Sequence, residues 1–456
     1  MRRPGEILLV STYELGHAPH GIALPRAFLE RAGFAPASLD LAVEPLDLER
    51  VRRARLVAIS VPMHTALRLG LEAARRIRAA RPGALLCFHG LYAPLNAELL
   101  VRAGAAAVLG GECEEDLVAL ARAAEGGEDL GRFVQRRGAA APRKRLDYPV
   151  PSRAGLVSER YARFVDADGV EHRAGYVEAT RGCKHRCRHC PIPAVYDGRF
   201  VAVPVETVLA DVAQQVAAGA EHVTFGDPDF LNGPRHALAV ARLLHARVPA
   251  LTFDFTAKIE HLVRHAPALP ELVALGARFV VSAVESLSSR VLAKLAKGHD
   301  RADVETAFAA CARAGLALRP SLVPFTPWST LEDYLELLDL FAARGWAAQV
   351  DPVQLSIRLL VPPGSLLEGD PELAVEGLDE EALTWRWRHP DPRMDALQRR
   401  IAAEVEAAAT AREPEVETFA RVTALARAAA GLPHGHVRVL APDQRRVPRL
   451  TESWFC

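Results

Sequence analysis

Short apolar runs alternate with amphipathic helical stretches along most of the chain, and this alternation restricts the possible folds more than any other feature. In the first 130 residues the runs Ile7 to Ser11 and Leu56 to Val61 predict strands, and Thr65 to Ala80 predicts a helix between strands. Uninterrupted apolar strands between helices are typical of parallel sheets that are covered on both faces. We therefore predict a doubly wound α/β domain of about five strands at residues 1–130.

The same alternation resumes at Tyr176 in units of about 35 residues, the length of one strand and one helix. The predicted strands are Tyr176 to Ala179, Val223 to Phe225, Leu251 to Phe255, Phe279 to Ala283, Ala317 to Leu322 and Gln354 to Leu359. A series of β/α units predicts a partial (β/α)6 barrel at residues 173–370, with its chemistry at the C-terminal ends of the strands.

The segments outside these two units have other patterns. Residues 131–172, which include the basic run Arg143 to Arg145, are rich in glycine, alanine and proline and predict a linker. Residues 371–456 predict a strand-free helical extension with helices at Arg393 to Ala411 and Glu415 to Ala430, followed by a cysteine-containing tail.

Charge and cysteine content exclude several classes of protein. The 56 basic residues balance 56 acidic ones, so no global positive field favours nucleic acid or anionic membrane. No apolar run approaches the roughly 18 residues of a membrane span, and the N-terminus has no signal-peptide pattern. Seven cysteines are too few for a disulfide framework in a chain of 456 residues. We expect a cytoplasmic protein without a membrane or nucleic-acid partner.

Three of the cysteines, Cys183, Cys187 and Cys190, follow the first predicted barrel strand and are separated by three residues and then two. Three thiolates from one loop can hold three irons of a [4Fe–4S] cluster and leave the fourth iron open. A structural zinc completed by His185 or His189 is the rival interpretation, and three unliganded cysteines are the simplest one. Basic residues of the same loop are expected to stabilise the thiolates: Lys184, Arg186 and Arg188.

The run from Thr180 to Pro191 resembles the signature of radical S-adenosylmethionine (radical SAM) enzymes, although His189 stands where that family usually has an aromatic residue. The resemblance implies that S-adenosylmethionine chelates the open iron and is cleaved reductively to give a carbon radical. It implies an enzyme that modifies a small-molecule substrate, here unidentified, and that needs an electron donor such as flavodoxin or ferredoxin.

Polar residues at later strand ends match the positions where this family binds S-adenosylmethionine. The residues to which the resemblance gives this role are Gly226, Asp227, Pro228, Asp229, Glu285 and Ser286. Asp227 and Asp229 could instead cap a turn and a helix. Lys258 and Arg319 are candidates for binding the carboxylate of S-adenosylmethionine or a substrate anion, and ordinary ion pairs are the alternative.

The first 125 residues resemble the cobalamin-binding domain that precedes the barrel in one branch of the family. Val57 to Val61, Ala84 to Gly90 and Val108 to Leu117 carry the likeness, but Tyr13 to His17 does not match the loop that supplies a histidine ligand to cobalt. The domain is thus predicted either to bind cobalamin without that ligand or to act as a scaffold or lid. Histidines that could line its pocket are His17, His20, His64 and His89.

The terminal run Pro448 to Cys456 resembles the start of the tail of CUAEP/CCAEP-tail radical SAM proteins. This resemblance predicts that the gene continues through a selenocysteine codon, and it makes Cys456 a candidate catalytic thiol. Two alternative reactions follow from the resemblances: cobalamin-dependent methyl transfer, and transfer of a 3-amino-3-carboxypropyl group to a metalloid or other soft atom. A zinc-stapled binding protein is the non-enzymatic alternative.

Overall fold

The computed structural model describes residues 1–136, 147–156, 159–433 and 446–452. The strands are β1 (Ile7–Ser11), β2 (Ala37–Asp40), β3 (Leu56–Ser60), β4 (Leu85–His89), β5 (Ala107–Leu109), β6 (Arg163–Val165), β7 (Glu171–Val177), β8 (Thr180–Gly182), β9 (Phe200–Ala202), β10 (His222–Phe225), β11 (Thr252–Thr256), β12 (Ala277–Glu285), β13 (Ala317–Leu322), β14 (Val375–Asp379), β15 (Thr384–Trp387) and β16 (Arg449–Leu450). The helices are α1 (His20–Arg31), α2 (Leu48–Arg53), α3 (His64–Ala80), α4 (Ala97–Arg102), α5 (Glu114–Gly126), α6 (Ile192–Tyr196), α7 (Val205–Ala217), α8 (Pro234–Arg247), α9 (Ile259–Arg264), α10 (Leu269–Ala274), α11 (Ser289–Leu295), α12 (Arg301–Ala314), α13 (Leu331–Ala343), α14 (Pro392–Ala411) and α15 (Glu415–Ala429).

The N-terminal sheet has the strand order β2-β1-β3-β4-β5, and all its neighbours are parallel. Every residue of β1 and β3 is buried. Strands buried on both faces need apolar side chains throughout, which explains why their sequences lack polar alternation. The predicted doubly wound fold is confirmed.

The second sheet has seven strands in the order β13-β12-β11-β10-β7-β6-β16. The five strands from β13 to β7 are parallel and form the curled half-barrel, whereas β6 and β16 add an antiparallel edge. The partial barrel is confirmed. The pairing of Arg449 and Leu450 with Val165 and Phe164 brings the C-terminal segment onto the edge of the sheet that carries the barrel.

Two predictions about secondary structure are wrong. Gln354 to Leu359 is not a sixth strand, because Pro352–Ser356 is a 3-10 helix and only Arg358 forms an isolated bridge, to Phe325. The C-terminal extension is not free of strands, because β14 and β15 form a hairpin within it. A hairpin of alternating polar and apolar residues buries one face only, so it lacks the apolar run by which the buried strands were found.

The domain boundaries at 130, 172 and 370 stay predictions, although β6 and the start of β7 lie within the predicted linker. The basic run from Arg143 to Arg145 lies outside the described residues. A continuous apolar core includes residues of both sheets, among them Leu9 of β1 and Phe225 of β10. In the part of the chain that the structure describes, no helix combines the length and apolarity of a membrane span.

Candidate active site between the two sheets

A cavity of about 490 Å³ lies between the C-terminal edges of the two sheets. Its wall includes Ser60 and His89, which end β3 and β4, and it also includes Glu178, Gly226 and Lys258, which follow three barrel strands. In α/β folds the loops at this end of the strands carry the functional groups. The volume is within the range of small-molecule sites, so this cavity is the candidate active site.

All three predicted cluster ligands, Cys183, Cys187 and Cys190, line this cavity. We call residues 183–190 the cysteine loop. The loop begins at Gly182, where φ is +76° and a Cβ atom would lie 2.5 Å from the Tyr196 ring. Both the backbone angle and the close approach require glycine, which fixes the turn from β8 into the loop.

The cysteine sulfurs are spread more widely than one zinc ion allows. Among the described residues, three His, Cys, Asp or Glu donor atoms within 4.8 Å of one another occur only at His185, Asp229 and His261. Thiolates that share a tetrahedral zinc lie about 3.8 Å apart, whereas thiolates on separate irons of a cluster lie farther apart. This spacing suits a [4Fe–4S] cluster better than a mononuclear zinc site.

Neither histidine of the cysteine loop completes a zinc site with the cysteines. His185 Nε2 lies 3.2 Å from His261 Nε2, and His189 Nε2 lies 3.1 Å from Glu285 Oε1. These contacts direct both rings toward neighbouring side chains of the barrel.

The basic side chains of the cysteine loop contact groups other than the thiols, and the expectation that they stabilise thiolates stays a prediction. Lys184 donates to the Asn232 carbonyl, while Arg186 and Arg188 pair with carboxylates. The carboxylates of these pairs belong to Asp197 and Asp370. The basic side chains of a short loop pair with carboxylates on the elements that pack against the loop. The sequence does not specify which elements these are.

The cation beside the thiols is instead Lys297, which is 2 % exposed. Burial lowers the pKa of its ammonium, but Glu285 and the thiols of Cys187 and Cys190 outweigh that effect and raise the pKa overall. The Lys297 Nζ atom lies 3.1 Å from Glu285 Oε1. The sequence pattern alone did not assign Lys297 a role.

Glu285 lines the cavity at the end of β12 in a left-handed backbone conformation with φ of 63°. Burial raises the pKa of its carboxyl, but Lys297 and His189 outweigh burial and lower the pKa to about 2. Glu285 is therefore a fixed negative charge at the cavity wall. Ser286 does not line the cavity, and its hydroxyl accepts from the Ser288 amide at the start of α11.

Residues 226–228 line the cavity, and Gly226 is required by packing because a Cβ atom would lie 1.9 Å from the Tyr176 hydroxyl. The Asp227 carboxylate accepts hydrogen bonds from the Ala179 amide and the Thr180 hydroxyl. Burial raises the pKa of Asp227 to about 7. Asp227 thus holds the turn that leads into the cysteine loop, and its oxygens are already engaged by protein donors.

Asp229 does not line the cavity, and its Oδ2 atom lies 2.6 Å from His261 Nδ1. Lys258 and Arg319 both line it. Lys258 Nζ lies 3.6 Å from Glu260, and Arg319 forms a buried ion pair with Asp351. Both cations thus line the cavity, and each is paired with a carboxylate.

An arginine that precedes the cysteine loop joins the two domains. Arg181 pairs with Glu112 and Glu114 of the N-terminal domain at 3.1 and 2.8 Å, and with Glu178 of the barrel at 3.1 Å. Burial raises the pKa of Glu178 to about 8 despite Arg181. The position of Arg181 next to Gly182 was visible in the sequence, but its partners Glu112 and Glu114 come from the other domain.

Three of the four predicted pocket histidines, His17, His20 and His89, line the cavity. Burial lowers the pKa of His17 and of His89 to about 4, so both rings are neutral at physiological pH. His17 Nδ1 and His89 Nε2 have no hydrogen-bond partner among the described residues. His64 lies outside the cavity wall and contacts the Ala382 carbonyl. Cys456 lies outside the described residues.

The sequence of the barrel matches a known family. Residues 177–341 match the model of the radical SAM superfamily. The ribosomal protein uS12 methylthiotransferase RimO of Desulfotalea psychrophila is 26% identical over 185 residues, which are 37% of this chain and 40% of that protein. The tRNA-2-methylthio-N(6)-dimethylallyladenosine synthase of Fusobacterium nucleatum is 24% identical over 196 residues, which are 39% of this chain and 42% of the relative.

The fold is shared with solved structures. The radical S-adenosylmethionine methyltransferase TsrM of Kitasatospora setae, solved with cobalamin and a [4Fe–4S] cluster, has a TM-score of 0.56 at 19% identity and covers 74% of this chain and 70% of its own. The cobalamin-dependent S-adenosylmethionine radical enzyme OxsB has a TM-score of 0.66 at 15% identity and covers 88% of this chain and 66% of its own.

The fold and the family match define a radical SAM domain preceded by a doubly wound α/β domain. Residues 177–341 carry the domain of the radical SAM superfamily, whose members are enzymes that use a [4Fe–4S] cluster and S-adenosylmethionine. It spans about two fifths of the length of the curated relatives named above.

Proposed function

We propose that this chain is a radical SAM enzyme in which Cys183, Cys187 and Cys190 hold a [4Fe–4S] cluster and the cavity between the domains holds a small-molecule substrate. The observation that carries the proposal is that three sulfurs from one loop line one cavity at a spacing wider than a zinc site allows. When bound, the cluster and S-adenosylmethionine supply one-electron reductive cleavage that yields a carbon radical.

The residues of the chain have separable tasks in this proposal. Asp227 fixes the turn before the cysteine loop, and Lys297 places a positive charge beside two of the thiols. Glu285 offers a negative charge suited to the ammonium group of S-adenosylmethionine, while Lys258 and Arg319 offer positive charge suited to a carboxylate. The negative charge and the two positive charges come from different strands of the barrel, so they can orient a zwitterionic ligand across the cavity.

The cluster requires an electron donor and reduced thiols. We propose a low-potential donor such as flavodoxin or ferredoxin, and a cytoplasmic location, since protein thiols remain reduced in that compartment.

Cysteine variants test the ligand assignment. We expect Cys187→Ala, assembled anaerobically with iron and sulfide, to lose the cluster absorbance and all reductive cleavage of S-adenosylmethionine after addition of dithionite. Cys311→Ala is the matched control, because Cys311 is buried in α12 and does not line the cavity. Cleavage retained by Cys187→Ala would contradict the assignment.

Mass spectrometry of the products separates two reaction types. Release of 5′-deoxyadenosine indicates hydrogen abstraction by the 5′-deoxyadenosyl radical, which we propose as the reaction. Release of methylthioadenosine would indicate transfer of a 3-amino-3-carboxypropyl group instead. A catalytic role for the Cys456 thiol stays a prediction, which Cys456→Ser tests by the same product analysis.

A cobalamin-dependent methyl transfer is the second candidate. It is favoured by the cavity wall on the N-terminal side, where the unpartnered ring nitrogens of His17 and His89 are available to a polar ligand. TsrM and OxsB, which share the fold, were solved with cobalamin. However, the end of β5 is already covered, because a Cβ atom on Gly110 would lie 2.4 Å from Pro94.

Gel filtration after incubation with hydroxocobalamin tests this candidate. Cobalamin retained at one per chain supports it, and complete separation contradicts it.

A further inference from the structure

A second group of donor atoms lies beside the cysteine loop and has no part in the function proposed above. His185, Asp229 and His261 place one donor atom each within 4.8 Å of one another. His185 belongs to the cysteine loop, Asp229 follows β10, and His261 lies in α9 after β11. The sequence separates these residues, and the curled sheet brings them together.

Two of the donor atoms lack the hydrogen bonds that buried polar atoms normally have. Asp229 and His261 are each 0 % exposed. Asp229 Oδ2 and His261 Nδ1 are 2.6 Å apart, yet neither atom forms a hydrogen bond of acceptable geometry with any described residue. Two lone pairs this close need a proton or a metal ion to hold them together, and the contact does not have the angle of an N–H···O hydrogen bond.

The remaining atoms of the group have the partners that metal ligands usually have. The other carboxylate oxygen of Asp229 accepts a hydrogen bond from the Leu231 amide at 3.0 Å. The Nδ1 atom of His185 lies 3.9 Å from Glu260. Ligating histidines commonly direct their second nitrogen at a carboxylate, and ligating carboxylates are themselves hydrogen-bonded. Lys258, a cation that acts electrostatically on His185, is paired with Glu260 at 3.6 Å.

We propose that His185, Asp229 and His261 bind a divalent first-row transition metal ion, zinc or iron(II), at a site separate from the iron–sulfur cluster. Two imidazoles and one carboxylate are a ligand set that such ions accept, with further positions open to water or another ligand. His185 Nε2 lies 3.9 Å from Asp229 Oδ2, and the donor atoms of all three residues lie within 4.8 Å of one another. Ligands about 2.1 Å from a tetrahedral ion lie about 3.4 Å apart, so small side-chain rotations complete the site.

The proposed ion has a structural consequence for the cysteine loop. It would tie the segment between Cys183 and Cys187 to the ends of β10 and β11 through the histidine at position 185. The loop would then be fixed by the metal on one side and by the hydrogen bonds of Asp227 on the other.

Zinc binding to the full chain tests the site. We expect cluster-loaded protein, titrated anaerobically with zinc sulfate against a chromophoric chelator, to bind one zinc per chain in addition to the cluster iron. His261→Asn should weaken zinc binding at least about tenfold. His265→Asn is the matched control, because the His265 ring packs 5.7 Å from that of His261 but is not one of the three donors. It should bind zinc as tightly as the unmodified chain.

Diffraction at the zinc absorption edge locates the ion without relying on a variant. An anomalous peak between the three side chains in the unmodified protein supports the proposal even when His261→Asn does not fold. Absence of zinc from the unmodified chain, a peak only at the cysteine sulfurs, or unchanged affinity in folded His261→Asn would overturn it. The iron count of the same samples reports on the cluster separately, so failure of one site is distinguishable from failure of the other.

Discussion

At the scale of single residues, the site is built on buried charges whose partners come from other elements. Glu285 at the end of β12 is held between Lys297 and His189, each 3.1 Å away. Such a pair is stable only when both partners are present, because removing one leaves the other charge buried and uncompensated. These contacts make the electrostatic properties of the cavity sensitive to single substitutions.

Removal of the Lys297 charge should make the cluster harder to reduce. Lys297→Met takes away a buried cation that interacts electrostatically with Cys187 and Cys190, and an added electron on the cluster is then less stabilised. We expect a more negative midpoint potential in an EPR-monitored redox titration. Lys294→Met is the control, because Lys294 pairs with Asp370 and Glu372 instead of contacting the thiols. Equal potentials in the two variants would show that Lys297 does not act on the cluster.

The buried carboxyl of Glu14 should make stability fall as the pH rises. Burial raises its pKa from 4.5 to about 7. The folded state therefore binds the proton more tightly than the unfolded state, and this stabilisation, present below pH 4.5, is lost as the pH rises through 7. We expect Glu14→Gln to reduce the loss of unfolding free energy between pH 5 and 8 by up to about 3 kcal/mol, measured by urea denaturation. The exposed Glu72→Gln should leave the pH dependence as in the unmodified chain, and an equal effect of both changes would refute the assignment.

At the scale of elements, the sequence predicted the buried strands well and the exposed ones poorly. Ile7–Ser11 was predicted at its observed bounds, because it lies between two parallel neighbours and is buried and almost wholly apolar. The hairpin of β14 and β15 and the edge strand β6 were missed, since short edge strands have mixed composition. The predicted sixth strand failed because an apolar run does not by itself distinguish a strand from another buried conformation, here a 3-10 helix at Pro352–Ser356.

The end of β10 should not tolerate any side chain at position 226. Gly226→Ala would place its Cβ atom inside the Tyr176 ring, whose Cζ atom lies 2.0 Å from that position. We expect a loss of about 2–3 kcal/mol of unfolding free energy, the usual effect of overpacking. Gly83→Ala is the matched control, because a Cβ atom there meets nothing within 4 Å. The double change Gly226→Ala with Tyr176→Ala should tolerate the new methyl group better than the sum of the single changes, and strict additivity would show that the clash is not the cause.

At the scale of the whole molecule, the two domains are held by a small number of buried ion pairs as well as by the shared apolar core. Arg153 lies in the segment between the domains and contacts both Asp211 carboxylate oxygens at 2.9 and 2.8 Å. It also donates to the carbonyls of Tyr176 in the barrel and Ala18 in the N-terminal domain. One side chain thus fixes the connecting segment against both domains.

Loss of the Arg153 side chain should destabilise the whole chain. Arg153→Met leaves the Asp211 carboxylate, with a side chain that is 1% exposed, without its cation. We expect a loss of about 3–5 kcal/mol in unfolding free energy and earlier protease cleavage between the domains. The exposed bidentate pair of Arg242 and Glu271 provides the control, and Arg242→Met should cost less than about 1 kcal/mol. Similar losses in both variants would mean that burial does not determine the effect.

The sequence by itself determined the two α/β repeats and the positions of the three cysteines that line the cavity, because buried strands and closely spaced ligands are local patterns. Only the tertiary structure decided which charged side chains act on the cysteines and their loop. Lys297 reaches the thiols, Arg181 joins acids of the other domain, and His261 meets the cysteine loop because a curled parallel sheet gathers the ends of strands that are distant in the chain. Folding brings these partners together from distant parts of the chain, so their separation in the sequence is not fixed. No sequence pattern could therefore have identified them.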